Sequence, residues 1–140
     1  MEITKIILAQ RLLYFTYMFV PIVAGLDKFF YIIADWNIYL NQAIPAFLHL
    51  SPELLIQTVG VIEIIAGVIV FINPKIGGSI VAAWLVLISI NLVSMGSYQP
   101  VGYLHARTYY DIAIRDMTMA VGACALALLS DALKSSPSKP

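Results

Sequence analysis

The side chains in this sequence that are best suited to chemistry are polar groups embedded in long apolar stretches. They form a candidate ligand-binding or polar cluster of six residues: Asp27, Glu63, Asn91, Asp111, Arg115 and Asp116. A charge inside a bilayer costs at least about 2.5 kcal/mol on insertion scales, so each of these groups requires a partner or a function. A carboxylic acid that loses its water also tends to hold its proton. The residue types therefore indicate either binding of a small polar or amphiphilic molecule or transfer of a proton.

Several other kinds of site find no support in the sequence. The formal net charge is zero and the basic residues are scattered, so there is no basic patch for nucleic acid. His49 and His105 are far apart and lack metal-ligand spacing, so no metal site is expected. The sequence contains no nucleotide-binding glycine loop, no Cys-x-x-Cys motif and no evident Ser or Cys nucleophile. Any reaction would therefore depend on a bound cofactor or a partner subunit for much of its chemistry.

The composition places these polar groups in a membrane. Of the 140 residues, 61% are hydrophobic and only 11% are charged, which is too little polar surface for the exterior of a soluble protein. A helix crosses a hydrocarbon core of about 30 Å with roughly 20 apolar residues. Four segments approach that length: 6–26, 54–72, 76–95 and 110–129. The sequence thus predicts an all-α fold, an integral membrane four-helix bundle, as a single domain over residues 1–134 followed by a disordered tail over 135–140.

The connections between the spans predict the topology. The short turn Asn73-Pro74-Lys75 indicates an antiparallel hairpin of the second and third spans. An even number of spans puts both termini on one side, where most basic residues lie, so the positive-inside rule predicts cytoplasmic termini. Residues 27–53 are rich in aromatic side chains and are expected to form an interfacial, helical segment between the first two spans. Residues 96–108 contain proline and glycine and are expected to form an irregular loop.

Depth and helical spacing predict how the polar groups meet. Glu63 is expected roughly 13 Å below the outer boundary of the bilayer, near its centre. A seam on the fourth span is expected to face the bundle interior: Asp111, Arg115, Thr118, Gly122 and Ala125. Asp111 can pair with Arg115 along the helix, which leaves Arg115 able to reach Glu63, Asn91 or Asp27. A purely structural interpretation stays open, because buried ion pairs often only fix the register of a bundle.

Further residues receive structural interpretations. Lys28, next to Asp27, is expected to act as an interfacial anchor or in an ion pair. Tyr14 and Tyr17 on the first span, with Trp84 on the third, are expected to pack in an aromatic core, with the lining of an apolar pocket as the alternative.

Several short motifs resemble the DoxX-like family of small four-helix bacterial membrane proteins. The resemblance covers nearly the whole chain and rests on these residues: Gly25-Leu26-Asp27-Lys28-Phe29, Asp35-Trp36, Tyr39, Glu63 with Gly67, and Tyr110-Asp111-Ile112-Ala113-Ile114-Arg115-Asp116. By resemblance, the polar motif residues of the family would be Asp27, Glu63, Arg115 and Asp116. The family takes its name from a subunit of thiosulfate:quinone oxidoreductase, and some members associate with redox enzymes. The resemblance implies a protein of the bacterial cytoplasmic membrane; the cofactor stays open, with a non-covalently bound quinone as the candidate.

Three functions follow as hypotheses. The first is a membrane subunit that binds a quinone-like or other amphiphilic small molecule and supports a redox partner; its partners would be the lipid bilayer, a redox-enzyme subunit and a second copy of the chain. The second is a proton-coupled or small-solute transporter in which Glu63 and Arg115 act together. The third is a scaffold or chaperone without catalysis, in which the polar cluster only stabilises the bundle. The sequence leaves open whether the protein is an enzyme.

Overall fold

Helices account for nearly all of the structure, a computed structural model that describes residues 3–98 and 103–135. The elements are α1 (Ile3–Phe30), a 3-10 helix (Trp36–Tyr39), α2 (Ala43–Leu48), α3 (Pro52–Ile72), α4 (Pro74–Tyr98) and α5 (Tyr103–Ser135). Among the described residues there is no strand, and four of the helices are long and apolar enough to cross a membrane. The predicted all-α membrane bundle is therefore confirmed.

The surface of the bundle is suited to lipid rather than water. Large apolar side chains are more than half exposed along the long helices, including Leu12, Phe71, Val121 and Leu128. Exposure of so many apolar groups would be unfavourable in water, but it costs nothing against hydrocarbon chains. The chain is accordingly a multi-pass membrane protein.

Local sequence sets the ends of α3. Ser51 begins the helix because its hydroxyl accepts a hydrogen bond from the Leu54 backbone N–H at 3.2 Å, and Pro52 occupies the first turn, where its missing N–H is not needed. At the other end Asn73 is extended, and α4 begins at once with Pro74. The predicted hairpin is confirmed, because so short a turn returns the chain directly alongside α3.

The bundle consists of two tightly packed helix pairs, α1 with α3 and α4 with α5, joined by looser contacts between the pairs. In the first pair, an ideal Cβ at Gly25 would lie 2.5 Å from the carbonyl oxygen of Gly60. In the second pair, small buried side chains allow the close approach: Ala113, Ala120, Ala123 and Ala127.

Both described ends of the chain lie at the same end of the bundle. Gln10 on α1 donates to the Ser130 hydroxyl on α5 at 3.1 Å, and Lys75 at the hairpin pairs with Asp131 at 2.7 Å. We call this the terminal end. The opposite end carries residues 31–51, which we call the cap, with the 3-10 helix and α2 inside it. The expected helical segment between the first two spans is thus present.

The structure corrects the predicted loop over 96–108. Residues 96–98 continue α4, and residues 103–108 already belong to α5, so helix occupies both ends of this segment. Long helices tolerate single glycines. At Gly96 a Cβ would lie only 2.9 Å from the Tyr110 ring, so the absence of a side chain there lets the ring pack against α4. Residues 99–102 lie outside the described part of the chain. The predicted tail over 135–140 begins one residue too early, because Ser135 is the last residue of α5, and residues 136–140 lie outside the described part.

Candidate functional site

Asp27 organises the chain reversal between α1 and the cap. Its carboxylate accepts hydrogen bonds from the backbone N–H groups of Ile32 and Ile33 at 2.8 Å and of Ala34 at 3.2 Å. It also accepts one from the Trp36 indole nitrogen at 2.8 Å. Four donors satisfy a carboxylate nearly completely, so Asp27 is a structural hydrogen-bond acceptor. It lies at the edge of the site.

Trp36 connects this turn to the next residue of α1. While its indole N–H is held by Asp27, its ring lies over the Lys28 ammonium, whose nitrogen is 3.5 Å from the ring centroid. A cation over an aromatic face is attracted by the ring quadrupole, and the attraction grows when water is excluded. The cap therefore covers one side of the Lys28 ammonium, which α1 places beneath it.

Lys28 forms a buried ion pair with Glu63, the deepest predicted charge. The ammonium nitrogen lies 2.6 Å from Oε2, and the two side chains are only 6% and 9% exposed. Helical side chains lean toward the N-terminus of their own helix, and α1 and α3 run in opposite directions, so these two lean toward each other. The close contact of Gly25 with Gly60, each three residues earlier on its helix, fixes the register that lets them meet.

Trp84 and Asp116 complete the buried group, which we call the charged core: Asp27, Lys28, Glu63, Trp84 and Asp116. Trp84 on α4 donates its indole N–H to Glu63 Oε1 at 3.4 Å, so both carboxylate oxygens have a partner. Asp116 on α5 is 8% exposed, and the charged groups acting on it are Glu63 and Lys28. All four long helices thus contribute a side chain to the charged core.

The polar part of the predicted seam on α5, Asp111, Arg115 and Thr118, is exposed and does not face the interior, whereas Gly122 lies against the Tyr17 side chain of α1. Asp111 and Arg115 pair with each other at 2.9 Å, as the i, i+4 spacing predicts, but their side chains are 60% and 71% exposed. Successive helical residues are rotated by about 100°, and α5 turns its alanine face with Asp116 toward α4, which carries Arg115 outward. The prediction that Arg115 reaches Glu63, Asn91 or Asp27 is therefore wrong. The partner of Glu63 is Lys28.

Asn91 lies apart from the charged core, beneath the cap. Its amide nitrogen donates to the Tyr39 carbonyl at 3.4 Å and approaches the Met95 sulfur at 3.8 Å, while its buried Oδ1 has no hydrogen-bond partner. Tyr39 and Met95 both line a cleft of about 310 Å³ between the cap and the outer ends of α4 and α5. The remaining lining residues are Asn37, Ile38, Leu40, Gln42, Thr108 and Tyr109. The six predicted residues thus occupy three places: the charged core, a position behind the lining of the cap cleft, where Asn91 contacts Tyr39 and Met95, and the exposed face of α5.

Sequence reasoning offered an ion pair as one role of Lys28 but missed its partner Glu63, and it missed the contacts that Trp36 and Trp84 make with this pair. A signal was present, because Gly25 precedes Lys28 by three residues and Gly60 precedes Glu63 by three, so each helix carries a small residue and a charge at the same spacing. The two glycines mark a close helix contact, which places the two charges at the same interface. Nothing in the sequence pattern indicates that Trp84 contacts Glu63.

A metal centre finds no donor set in the described structure. Across residues 3–98 and 103–135, no three side chains of the types His, Cys, Asp and Glu come together as metal ligands. The charged core has three carboxylates, and one of them, Glu63, lies 2.6 Å from the Lys28 ammonium, which repels a metal ion.

Comparison with known proteins gave no match: no family model, no curated protein and no solved structure is similar to this chain. The resemblance to the DoxX-like family stays a prediction.

Proposed function

We propose that this chain is a membrane subunit that binds a small amphiphilic molecule, quinone-like in size and polarity, in the cleft under its cap. The observation that carries the proposal is the cleft itself, about 310 Å³ in volume and at the outer ends of α4 and α5. Sites for small molecules are concave and mostly apolar, with a few fixed polar groups, and begin at about this volume.

The lining of the cleft has the composition that an amphiphile requires. Ile38, Leu40 and Met95 supply apolar surface, while the tyrosine and amide side chains supply polar groups. The Tyr109 hydroxyl donates to the Ile38 carbonyl at 2.9 Å and so holds the cap at the distance that leaves the cleft. The cleft thus has fixed walls on both sides.

The unpartnered oxygen of Asn91 adds a chemical preference. A buried carbonyl oxygen without a donor costs about 1–3 kcal/mol, and a ligand hydroxyl that reached it would recover that cost. A reduced quinone carries such hydroxyl groups, whereas its oxidised form only accepts hydrogen bonds. Asn91 does not itself line the cleft but contacts two residues that do, Tyr39 and Met95, so a ligand hydroxyl that displaced one of these contacts and reached its oxygen would favour the hydroquinone form.

The same proposal includes the setting that the sequence predicts. We place the chain in the bacterial cytoplasmic membrane with both termini in the cytoplasm and with a redox enzyme as its partner, as the DoxX-like resemblance implies. The positive-inside rule supports the orientation, because Lys5, Arg11, Lys75 and Lys134 all belong to the terminal end. A periplasm-dependent alkaline phosphatase fused to the C-terminus should be inactive, and an active fusion would reverse the orientation.

Binding is tested on the purified chain in nanodiscs with a short-chain benzohydroquinone and the matching benzoquinone. The hydroquinone should raise the melting temperature more than the quinone does, and native mass spectrometry should show one ligand per chain. Leu40→Trp, which fills the cleft, should abolish the shift. Leu48→Trp is the matched control, because Leu48 also belongs to the cap but does not line the cleft.

Asn91→Leu tests the chemical preference separately. It removes the amide but keeps a similar volume, so the advantage of the hydroquinone over the quinone should disappear while general binding persists. Absence of any ligand-dependent shift in the unmodified chain, or an equal loss in Leu48→Trp, would refute the proposed function.

A further inference from the structure

Asp116 is the carboxylate of the charged core that nothing holds in place. The residue is only 8% exposed, yet across residues 3–98 and 103–135 no hydrogen bond or ion pair reaches its side chain. Asp27, in contrast, accepts four hydrogen bonds, and both oxygens of Glu63 are engaged. A buried, ionised carboxylate without a partner is strongly unfavourable.

The charges around Asp116 do not supply the missing partner. From α1 it faces Lys28, whose ammonium already pairs with Glu63 at 2.6 Å, and from α3 it faces Glu63, which repels it. The part of α4 beside the charged core contributes Trp84 and no charge. On α5 itself, Arg115 points outward to Asp111. Within the described part of the chain, the Lys28 ammonium is therefore the one positive charge available to both Glu63 and Asp116.

A proton is the occupant that this arrangement fits. A metal or alkali cation needs several oxygen ligands and would lie beside the Lys28 ammonium, which repels it. A proton needs only the carboxylate, and it converts the pair of acids and the lysine to a neutral set. We propose that Asp116 is the site of one exchangeable proton, held against the Lys28–Glu63 ion pair.

The two protonation states differ in what Lys28 does. With the proton on Asp116, Lys28 pairs with Glu63 alone, which is compatible with the 2.6 Å contact between them. When the proton leaves, the second carboxylate competes for the ammonium, which must move away from Glu63 or be shared. The Trp36 ring lies over that ammonium, so a change at Asp116 is transmitted to the cap.

The chain contains a direct reporter of this change. It has only two tryptophans, and both contact the ion pair: Trp36 through the Lys28 ammonium and Trp84 through Glu63. Intrinsic tryptophan fluorescence should therefore change with pH in one step as the proton binds. Infrared spectra of the same sample should show the carbonyl stretch of one buried carboxylic acid per chain, shifted in D2O and lost as pH rises.

Variants of the full-length chain in nanodiscs assign the proton to Asp116. Asp116→Asn should abolish both the acid band and the fluorescence step. Asp111→Asn is the matched control: it removes an exposed acid from the same helix and should leave both signals unchanged. In Glu63→Gln, Lys28 is free to pair with Asp116, so the acid band should also disappear although Asp116 is present.

Infrared spectra of the unmodified chain alone can refute the proton site, so the test does not require that every variant folds. Absence of any buried acid band from mildly acidic to mildly alkaline pH would refute the proton site, and so would an acid band that persists in Asp116→Asn. These signals do not depend on any ligand in the cap cleft, so the proton site and the proposed function stand or fall separately.

Discussion

The ammonium group of Lys28 lies 2.6 Å from the carboxylate of Glu63, at an interface where two glycines bring their helices into backbone contact. The pair joins the end of α1 to the middle of α3, and tryptophans from the cap and from α4 cover it on two sides. A buried pair of this kind is a weak source of net stability, but it is costly to break on one side only.

Removing one member of the pair should therefore destabilise the bundle much more than removing both. Lys28→Met leaves the Glu63 carboxylate buried without its cation, and we expect a loss of about 3–5 kcal/mol. The double variant with Glu63→Leu should recover most of that loss. Thermal unfolding in detergent, followed by circular dichroism, measures both changes.

Lys75→Met is the control for this comparison. Lys75 also pairs with an aspartate, Asp131, but those side chains are 52% and 54% exposed, and an exposed pair contributes about 0–1 kcal/mol. Equal losses of stability in Lys28→Met and Lys75→Met would show that burial does not make the bundle more dependent on the Lys28–Glu63 pair.

A side chain at Gly25 should separate α1 from α3 and so break the ion pair without changing a charge. An added Cβ would lie 2.5 Å from a backbone oxygen of Gly60 and 2.8 Å from the Ile64 side chain, so the helices must move apart. Gly25→Leu should lower the melting temperature and alter tryptophan emission at the same time. Ala83→Leu, at an exposed position of α4, should change neither.

Loss of one hydroxyl at Tyr109 should loosen the cap. Tyr109→Phe removes the hydrogen bond to the Ile38 carbonyl, at a cost of about 1 kcal/mol, while the buried ring keeps its packing. Hydrogen exchange at residues 36–40 should become faster.

Tyr110→Phe is the matched control, since the hydroxyl of Tyr110 meets Ser97 rather than the cap. It should leave exchange in the cap unchanged. Unaltered exchange in Tyr109→Phe would mean that other contacts hold the cap, such as the bond from Asn91 to Tyr39.

The fold was readable from the sequence because hydrophobic length is a property of each segment alone. The spans, the hairpin at Asn73 and the helical cap follow from local composition and turn chemistry. The ends of α4 and α5 were misjudged because glycine and proline signal a loop more often than helix, whereas Gly96 lies inside α4.

The candidate site was only partly readable because it depends on how each helix is rotated. The sequence predicted Glu63 and Asp116 in one polar cluster, and the structure places both in the charged core, but one residue of rotation separates the buried Asp116 from the exposed Arg115. A seam of polar and small residues suits the interior, yet the alanines of α5 offered a closer fit to α4. Packing between helices determines the rotation of each helix about its axis, and the sequence of one segment alone does not contain that information.

The cap exposes large apolar side chains of its own, with Ile32, Ile33 and Phe47 at 83%, 69% and 82%. Groups of this kind are suited to the apolar layer of the bilayer at the cap end of the bundle, next to the cleft. A molecule that enters from this side must first partition into the membrane. Its occupancy is then governed by the number of ligand molecules per lipid, so diluting the sample with empty vesicles should empty the cleft even at constant total ligand.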